Sequence, residues 1–236
     1  GSYPLSASAG RIYIPNGNLY LKQTVITKNS SIGHGGGIFV GALASVQLEN
    51  SVVVYNETGS GNTFGAGIYA DGGYVTMINS IVFFNRRKNS DEINFNLNGY
   101  SGSIQNEFNV VYSDVEGDSI WVPDGEGNLS ANPLFVDADN NNFMLQEDSP
   151  CIDSGTEIEG VEYYGSAPDM GAYEFTGVFL GDVVSDGMIN VSDAIRVVAI
   201  ILEIWIPTND EFLAADMNDD DIIDILDVLQ IVQIII

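Results

Sequence analysis

The chain has 236 residues, enough for one large domain or two modest ones, and carries 33 acidic against 7 basic side chains. That imbalance excludes polyanions as natural partners, nucleic acid and anionic membranes among them, and suits divalent cations instead. No apolar run approaches the roughly 20 residues that a membrane-spanning helix needs; the longest, Val197–Ile206, includes Glu203.

Cys151 is the only cysteine, so no disulfide can form within the chain, and it reads as a small buried apolar residue. Gly1-Ser2 reads as a cloning scar, so a natural leader and further upstream sequence are expected before it. The charge is uneven along the chain. Residues 1–176 hold 21 acidic and six basic residues, while residues 177–236 hold 12 acidic residues and one base, Arg196. Composition shifts at the same point, from Gly, Asn, Ser and short β-branched runs to Asp-rich loops and aliphatic stretches. Two domains are expected, 1–176 and 177–236.

The first domain repeats. Ser51-Val52-Val53-Val54-Tyr55-Asn56 aligns with Ser80-Ile81-Val82-Phe83-Phe84-Asn85 and then with Asn109-Val110-Val111-Tyr112-Ser113-Asp114, each 29 residues on. Thr24–Asn29 is an earlier copy at an offset of 27, and Gly35-Gly36-Gly37-Ile38-Phe39 recurs as Gly65-Ala66-Gly67-Ile68-Tyr69 at 30. A period this long means stacked units, and a sandwich of hairpins would show turn signals every 8–12 residues or so instead. The units are β-branched and aromatic, without helical periodicity over residues 11–150. Asn29, Asn56, Asn85 and Asp114 close the strands, where they are expected to stack, bond neighbouring coils and adopt left-handed corners. The glycines are expected where a Cβ would strike the next coil. The expected architecture is a parallel β-helix of roughly five coils over residues 11–150.

The paired Gly-Gly-Gly-Ile-Phe and Ser-x-Val-x-Tyr-Asn motifs resemble the right-handed parallel β-helix repeats of pectin-lyase-like proteins and surface proteins. Asn132–Asp137, Phe143–Leu145, Ser149–Gly155 and Ala167–Phe175 resemble the terminal segment of many secreted bacterial β-helix proteins. The likeness covers about residues 15–176, and implies that upstream coils belong to a longer helix. It also implies carbohydrate binding along a parallel-strand face. Cleavage would follow either β-elimination with a basic residue or hydrolysis with a carboxylate pair, making the chain a polysaccharide lyase or glycoside hydrolase.

Candidate residues for that chemistry are few. Arg86-Arg87-Lys88, beside Asp91-Glu92, is the only concentrated cationic site, and a solvated basic turn is its plainer reading. Asp71, Asp114, Glu116 and Asp118 are the available carboxylates, with a corner role the better account of Asp114. His34, the only histidine, is expected to be structural or exposed. Trp121, Tyr55, Tyr69 and Tyr163 could stack on sugar rings, although core packing is the default for aromatics. No residue is assigned a catalytic role.

The second domain contains two loops in register, 34 residues apart. Loop one runs from Asp182 to Asp193 and loop two from Asp216 to Asp227. Calcium takes about six to eight oxygens at about 2.3–2.6 Å. Loop one offers Asp182, Asp186, the Met188 carbonyl and Asp193; loop two offers Asp216, Asn218, Asp220, the Ile222 carbonyl and Asp227. Ile189 and Ile223 are expected to pin the loops together, and Asn190 and Asp224 to cap helices over Ala194–Leu202 and Val228–Ile236. Asp193 and Asp227 would close each coordination shell and also favour the positive helix ends.

This paired pattern, with Asp at position 12 and a helix only after each loop, resembles the dockerin family over Gly181–Ile236. The resemblance implies Ca2+ as cofactor, docking to a cohesin-bearing scaffold, and an extracellular, cellulosome-like setting. Two departures matter. Val184 stands at position 3 of loop one, where a ligand side chain is expected, and Asp221 replaces the glycine at position 6 of loop two. Loop two should therefore bind calcium more tightly. Both helices are apolar on more than one face, which calls for a partner. Val191-Ser192 and Ile225-Leu226 occupy the family's docking positions, and the linker, about 177–180, is short. The partner is expected to be a cohesin or the chain's own β-helix, which the module would then cap. The whole is expected to be a mainly β protein: a right-handed parallel β-helix followed by a small α-helical dockerin-like domain with two calcium loops. Its expected role is secreted polysaccharide binding or breakdown; a non-catalytic, adhesin-like β-helix is the alternative.

Overall fold

The computed structural model describes residues 12–90, 96–99, 107–117, 124–185 and 189–236. They form two compact units divided between Phe175 and Thr176. The sequence candidates Asp91, Glu92, Asp118, Trp121, Asp186 and Met188 lie outside the described residues.

The first unit is a stack of parallel coils. Its first coil holds β1 (Ile12–Lys22), β2 (Val25–Thr27) and β3 (Ser30–Ser31); the second holds β4 (Ile38–Glu49), β5 (Val52–Val54) and β6 (Glu57–Thr58). The third holds β7 (Ile68–Asp71), β8 (Tyr74–Ile78), β9 (Ile81–Phe83) and β10 (Arg86–Arg87), and the fourth β11 (Leu97–Gly99), β12 (Phe108–Val111) and β13 (Asp114–Val115). The described strands line three faces: sheet A (β1, β4, β7 with β8, β11 with β12), sheet B (β2, β5, β9, β13) and sheet C (β3, β6, β10), to which the fourth coil adds no described strand. Register is kept from coil to coil. Ile12, Ile38, Ile68 and Leu97 stack, as do Ile26, Val53, Val82 and Val115, and these side chains fill one continuous core.

Corners follow from local chemistry. Gly36 and Gly67 run so close to the next coil that a Cβ would lie 2.5 Å from the Ala66 and Asn96 carbonyl oxygens respectively. The left-handed residues at the sheet B corner are Lys28, Tyr55 and Phe84, one position before the asparagines rather than the asparagines themselves. The asparagines make the expected ladder: Asn29 donates to Asn56, Asn56 to Asn85 and Asn85 to Asn96. Asp114 is not its fourth member. Ser80 N–H bonds the Ser113 hydroxyl and Asp114 pairs with Ile81, so the last step of the stack is 33 residues rather than 29. Hydrogen bonds, not spacing, extend a buried amide row, and Asn96 completes it.

The described strands make about three turns, the fourth coil contributing to sheets A and B alone, where roughly five coils were expected. Residues 132–175 leave the coil and run as a strap over the outer face of sheet B, beginning with a hairpin of β14 (Phe135–Asp137) and β15 (Asn142–Leu145). Phe135, Phe143, Leu145, Cys151 and Met170 bury the outward side chains Val52, Val54, Ile81 and Phe83. The reason is visible in the strands: Val52-Val53-Val54 and Ile81-Val82-Phe83 are apolar at consecutive positions, so both faces need cover.

The second unit contains α1 (Val191–Ile201), α2 (Asn209–Ala215) and α3 (Ile225–Ile235). α1 packs on α3, around Val178, Val183, Val197, Ala214, Ala215 and Ile231, and Ile189 and Ile223 join this core. α1 and α3 begin three residues before the expected starts, directly after their caps. α2 was not anticipated, though Thr208 and Glu211 spell out its capping box.

Candidate calcium loops and docking face

Each loop of the second unit ends in a helix capping box, and the aspartate three residues after the cap is the loop's most buried carboxylate. Asp224 caps α3 and Asp227, three residues on, returns a bond to the Asp224 amide at 2.7 Å. The other oxygen of Asp227 accepts the Met217 amide at 2.8 Å, so this one side chain ties the start of loop two to its end. Asn190 and Asp193 repeat the arrangement at α1, where Asp193 accepts the Asn190 and Val184 amides at 2.8 and 3.0 Å. Asp193 and Asp227 are fully buried.

In loop two, local hydrogen bonds link the other predicted ligand residues, although among the described residues no three carboxylates converge as a metal centre. Asp216, which ends α2, accepts the Asp220 and Asp221 amides at 3.2 and 2.8 Å. Asn218 bonds Asp220 through both its amide nitrogen and its oxygen, and Asp220 accepts the Ile222 amide. Asp219 and Asp221 hold left-handed backbone, with φ of 58° and 61°. In loop one Asp182 is buried like Asp193.

These residues suit a hard divalent cation. Asp216 and Asp227 are buried and accept only backbone amides. Residues 197–236 contain no basic side chain. Buried carboxylates are costly unless a cation compensates them, and an all-oxygen set is what calcium selects. The unit's one base, Arg196, is engaged elsewhere: it pairs with Glu211 and lies 4.0 Å over the Trp205 ring. Burial pushes the Glu211 carboxyl up, but the Thr208 amide, the Trp205 indole and Arg196 outweigh it and hold it below the ordinary carboxylate range.

The helices carry apolar residues that the unit does not bury. On α1 and its C-cap these are Val191, Ile195, Val198 and Leu202, recurring at one-turn spacing; on α3 they include Ile225, Leu226 and Leu229. Ile195 is 64% exposed while Val197, two positions on, is fully buried.

On the β-helix the candidates fall mostly into structural roles. Arg86 is held by Glu116, whose carboxylate also accepts the Phe84 amide and the Asn96 side chain. Asp114 is fully buried beneath the strap, where Cys151 donates to it at 3.4 Å. His34 accepts the Phe64 amide through Nδ1 and stacks on Tyr69 at 4.4 Å. Tyr55 stacks on Phe84, and the Tyr163 hydroxyl donates to Glu157. Asp71 ends β7 on sheet A. On the outer face of that sheet sequence reading named Tyr69 but not the rings beside it, and Tyr69 is buried rather than exposed. Tyr13, Phe39 and Tyr69 stack there with ring centres 5.0 and 5.7 Å apart. Two polar columns run beside them, Asn18–Ser45–Tyr74 and Tyr20–Gln47–Thr76–Asn109. Alternation along single strands was the available signal, but only the register lines the rings up.

Residues 180–236 match the family described as the Dockerin type I domain. Dockerin type I domains are calcium-binding as a class, bind cohesins on scaffold proteins and occur in secreted cellulosome components. No curated protein and no solved structure matches the chain.

Proposed function

We propose that this chain, a parallel β-helix joined to a dockerin type I module, is an extracellular protein that is anchored to a cohesin-bearing scaffold and engages polysaccharide through its β-helix. The observation that carries the reading is the pair of capped helices, each beginning at a carboxylate-lined loop and each presenting apolar side chains to solvent. Calcium in the loops would be held by Asp216, Asn218, Asp220, the Ile222 carbonyl and Asp227, and by Asp182, Asp186, the Met188 carbonyl and Asp193. The ion supplies the positive charge that the buried carboxylates lack, which fixes the starts of α1 and α3 and so the docking residues upon them. Attachment to a scaffold raises the effective concentration of the β-helix at a polymeric substrate.

For the β-helix, the partly exposed rings of Tyr13 and Phe39 and the hydroxyl and amide columns on sheet A support a sugar-binding face. Aromatic faces pack on pyranose rings, and the polar columns offer hydrogen bonds at the coil spacing of about 4.8 Å. Non-catalytic binding is favoured over cleavage, because Arg86, Glu116 and Asp114 are spent on the ladder and the strap.

Calorimetry against a type I cohesin, with calcium and with chelator, tests the anchoring. Calcium-dependent binding that Ile195→Asp and Leu229→Asp abolish is the expected result; no binding with calcium present would refute it. A polysaccharide panel read for gel retardation, unsaturated products and new reducing ends tests the β-helix. Retardation without product is expected, product would make the chain a lyase or hydrolase, and silence in every channel would refute the polysaccharide reading.

A further inference from the structure

The strap has a composition unlike the rest of the β-helix unit: residues 132–175 contain ten acidic side chains and no basic one. It is nevertheless packed on sheet B through a continuous apolar contact. Its polar fastenings to the coils include Lys22 and Lys28 bound to the Gly160 and Asp139 carbonyls, and Asn50 and Asn79 bound to the Asp169 and Thr156 carbonyls.

One coil residue breaks the apolar contact. In the stacked position where the earlier coils present Val25, Val52 and Ile81, the fourth presents Asp114. Its carboxyl group is fully buried against Cys151, with the Ala131 amide at 3.0 Å and the Cys151 thiol at 3.4 Å as its donors. One amide and one thiol, the latter a weak donor, are fewer than a buried carboxylate needs. The charged groups around it do not help. Glu116, two residues on, is neutralised by Arg86, and on the strap side Asp169 lies near Cys151.

We propose that the strap is a proton-operated latch: it lies closed over sheet B while Asp114 is protonated, and loosens at the Cys151 end when Asp114 ionises, baring the apolar outer face of the sheet. Desolvation, with a smaller contribution from Glu116, raises Asp114 from its ordinary 3.8 to about 7, against the opposing pull of the Ala131 amide and the Cys151 thiol. The sign follows from linkage. The closed strap holds a proton that the open one releases between about pH 4 and pH 7, so closure is fully favoured below that window and is lost as pH rises through about 7. Glu174, raised to about 7 by burial and by Asp169, acts in the same direction within the strap.

Hydrogen exchange of the whole chain in saturating calcium, corrected for intrinsic rates, tests the latch across pH 5 to 9. Protection of residues 132–175 is expected to fall as pH rises towards 7, by at most about tenfold per pH unit for one proton. Asp114→Asn should flatten the profile, while Glu174→Gln should leave the Asp114 step in place. A pH-independent wild type, or an unchanged profile in Asp114→Asn, overturns the proposal. Should Asp114→Asn fail to fold, Cys151→Ala removes only the thiol donor and should move the midpoint upward; an unmoved midpoint also overturns it.

Discussion

The Arg86 guanidinium and the Glu116 carboxylate close a two-pronged ion pair, 2.6 Å at each prong, at the foot of the asparagine ladder. Glu116 also accepts from Asn96, so the row of amides that begins at Asn29 ends on a charge which Arg86 balances. Arg86→Ala leaves that charge nearly buried and unpaired. Because the Arg86 side chain is about a third exposed, a loss of about 2 kcal/mol is expected, below the range for fully buried pairs. Urea unfolding in saturating calcium measures it. Pairing Arg86→Ala with Glu116→Gln should recover part of the loss, and simple additivity would argue against the coupling.

Within the ladder, Asn56 donates to the Ile26 and Val54 carbonyls and to Asn85. Asn56→Ala strands buried acceptors and is expected to cost about 2–4 kcal/mol by the same measurement.

Thr27 is expected to behave in the opposite way. Its hydroxyl is buried without a hydrogen-bond partner, and its register neighbour is Val54, which pairs in turn with Phe83. Thr27→Val should be neutral or stabilise by about 1 kcal/mol. A clear loss of stability would mean that the hydroxyl has a partner in solution.

Calcium titration of metal-stripped protein should resolve two affinities, the tighter belonging to loop two. Asp227→Ala should remove the tighter event and Asp193→Ala the weaker, because Val184 offers no side-chain ligand in loop one. Equal affinities would contradict this ordering.

Asp221 sits at φ 61°, a backbone that glycine adopts without strain. Asp221→Gly is expected to stabilise the calcium-loaded module by roughly 0.5–1 kcal/mol while lowering its charge. A thermal melt in saturating calcium reads the first effect, and the salt dependence of calcium affinity reads the second.

Much of this architecture is local, and local chemistry can be read along a chain. The Ser-x-Val-x-x-Asn copies and the glycine runs identify stacked coils because each coil must meet its neighbour with the same residues. The caps Asn190 and Asp224, with Asp193 and Asp227 three positions on, were legible as caps, although the helices begin directly after them, three residues earlier than the apolar runs suggested. The loop ligands of the second copy can be named for the same reason, since they lie within a dozen consecutive positions.

Only the tertiary structure decided what crosses between distant segments. Offset counting carried Asp114 onto the ladder; the register moved it beneath Cys151, because a longer last coil shifts every later residue and hydrogen bonding then recruits Asn96. The strap was invisible as such, since nothing local distinguishes a further coil from a segment folded back over sheet B. The sheet B strands needed cover on both faces, and which residues supplied it was settled by packing rather than by any pattern along the chain.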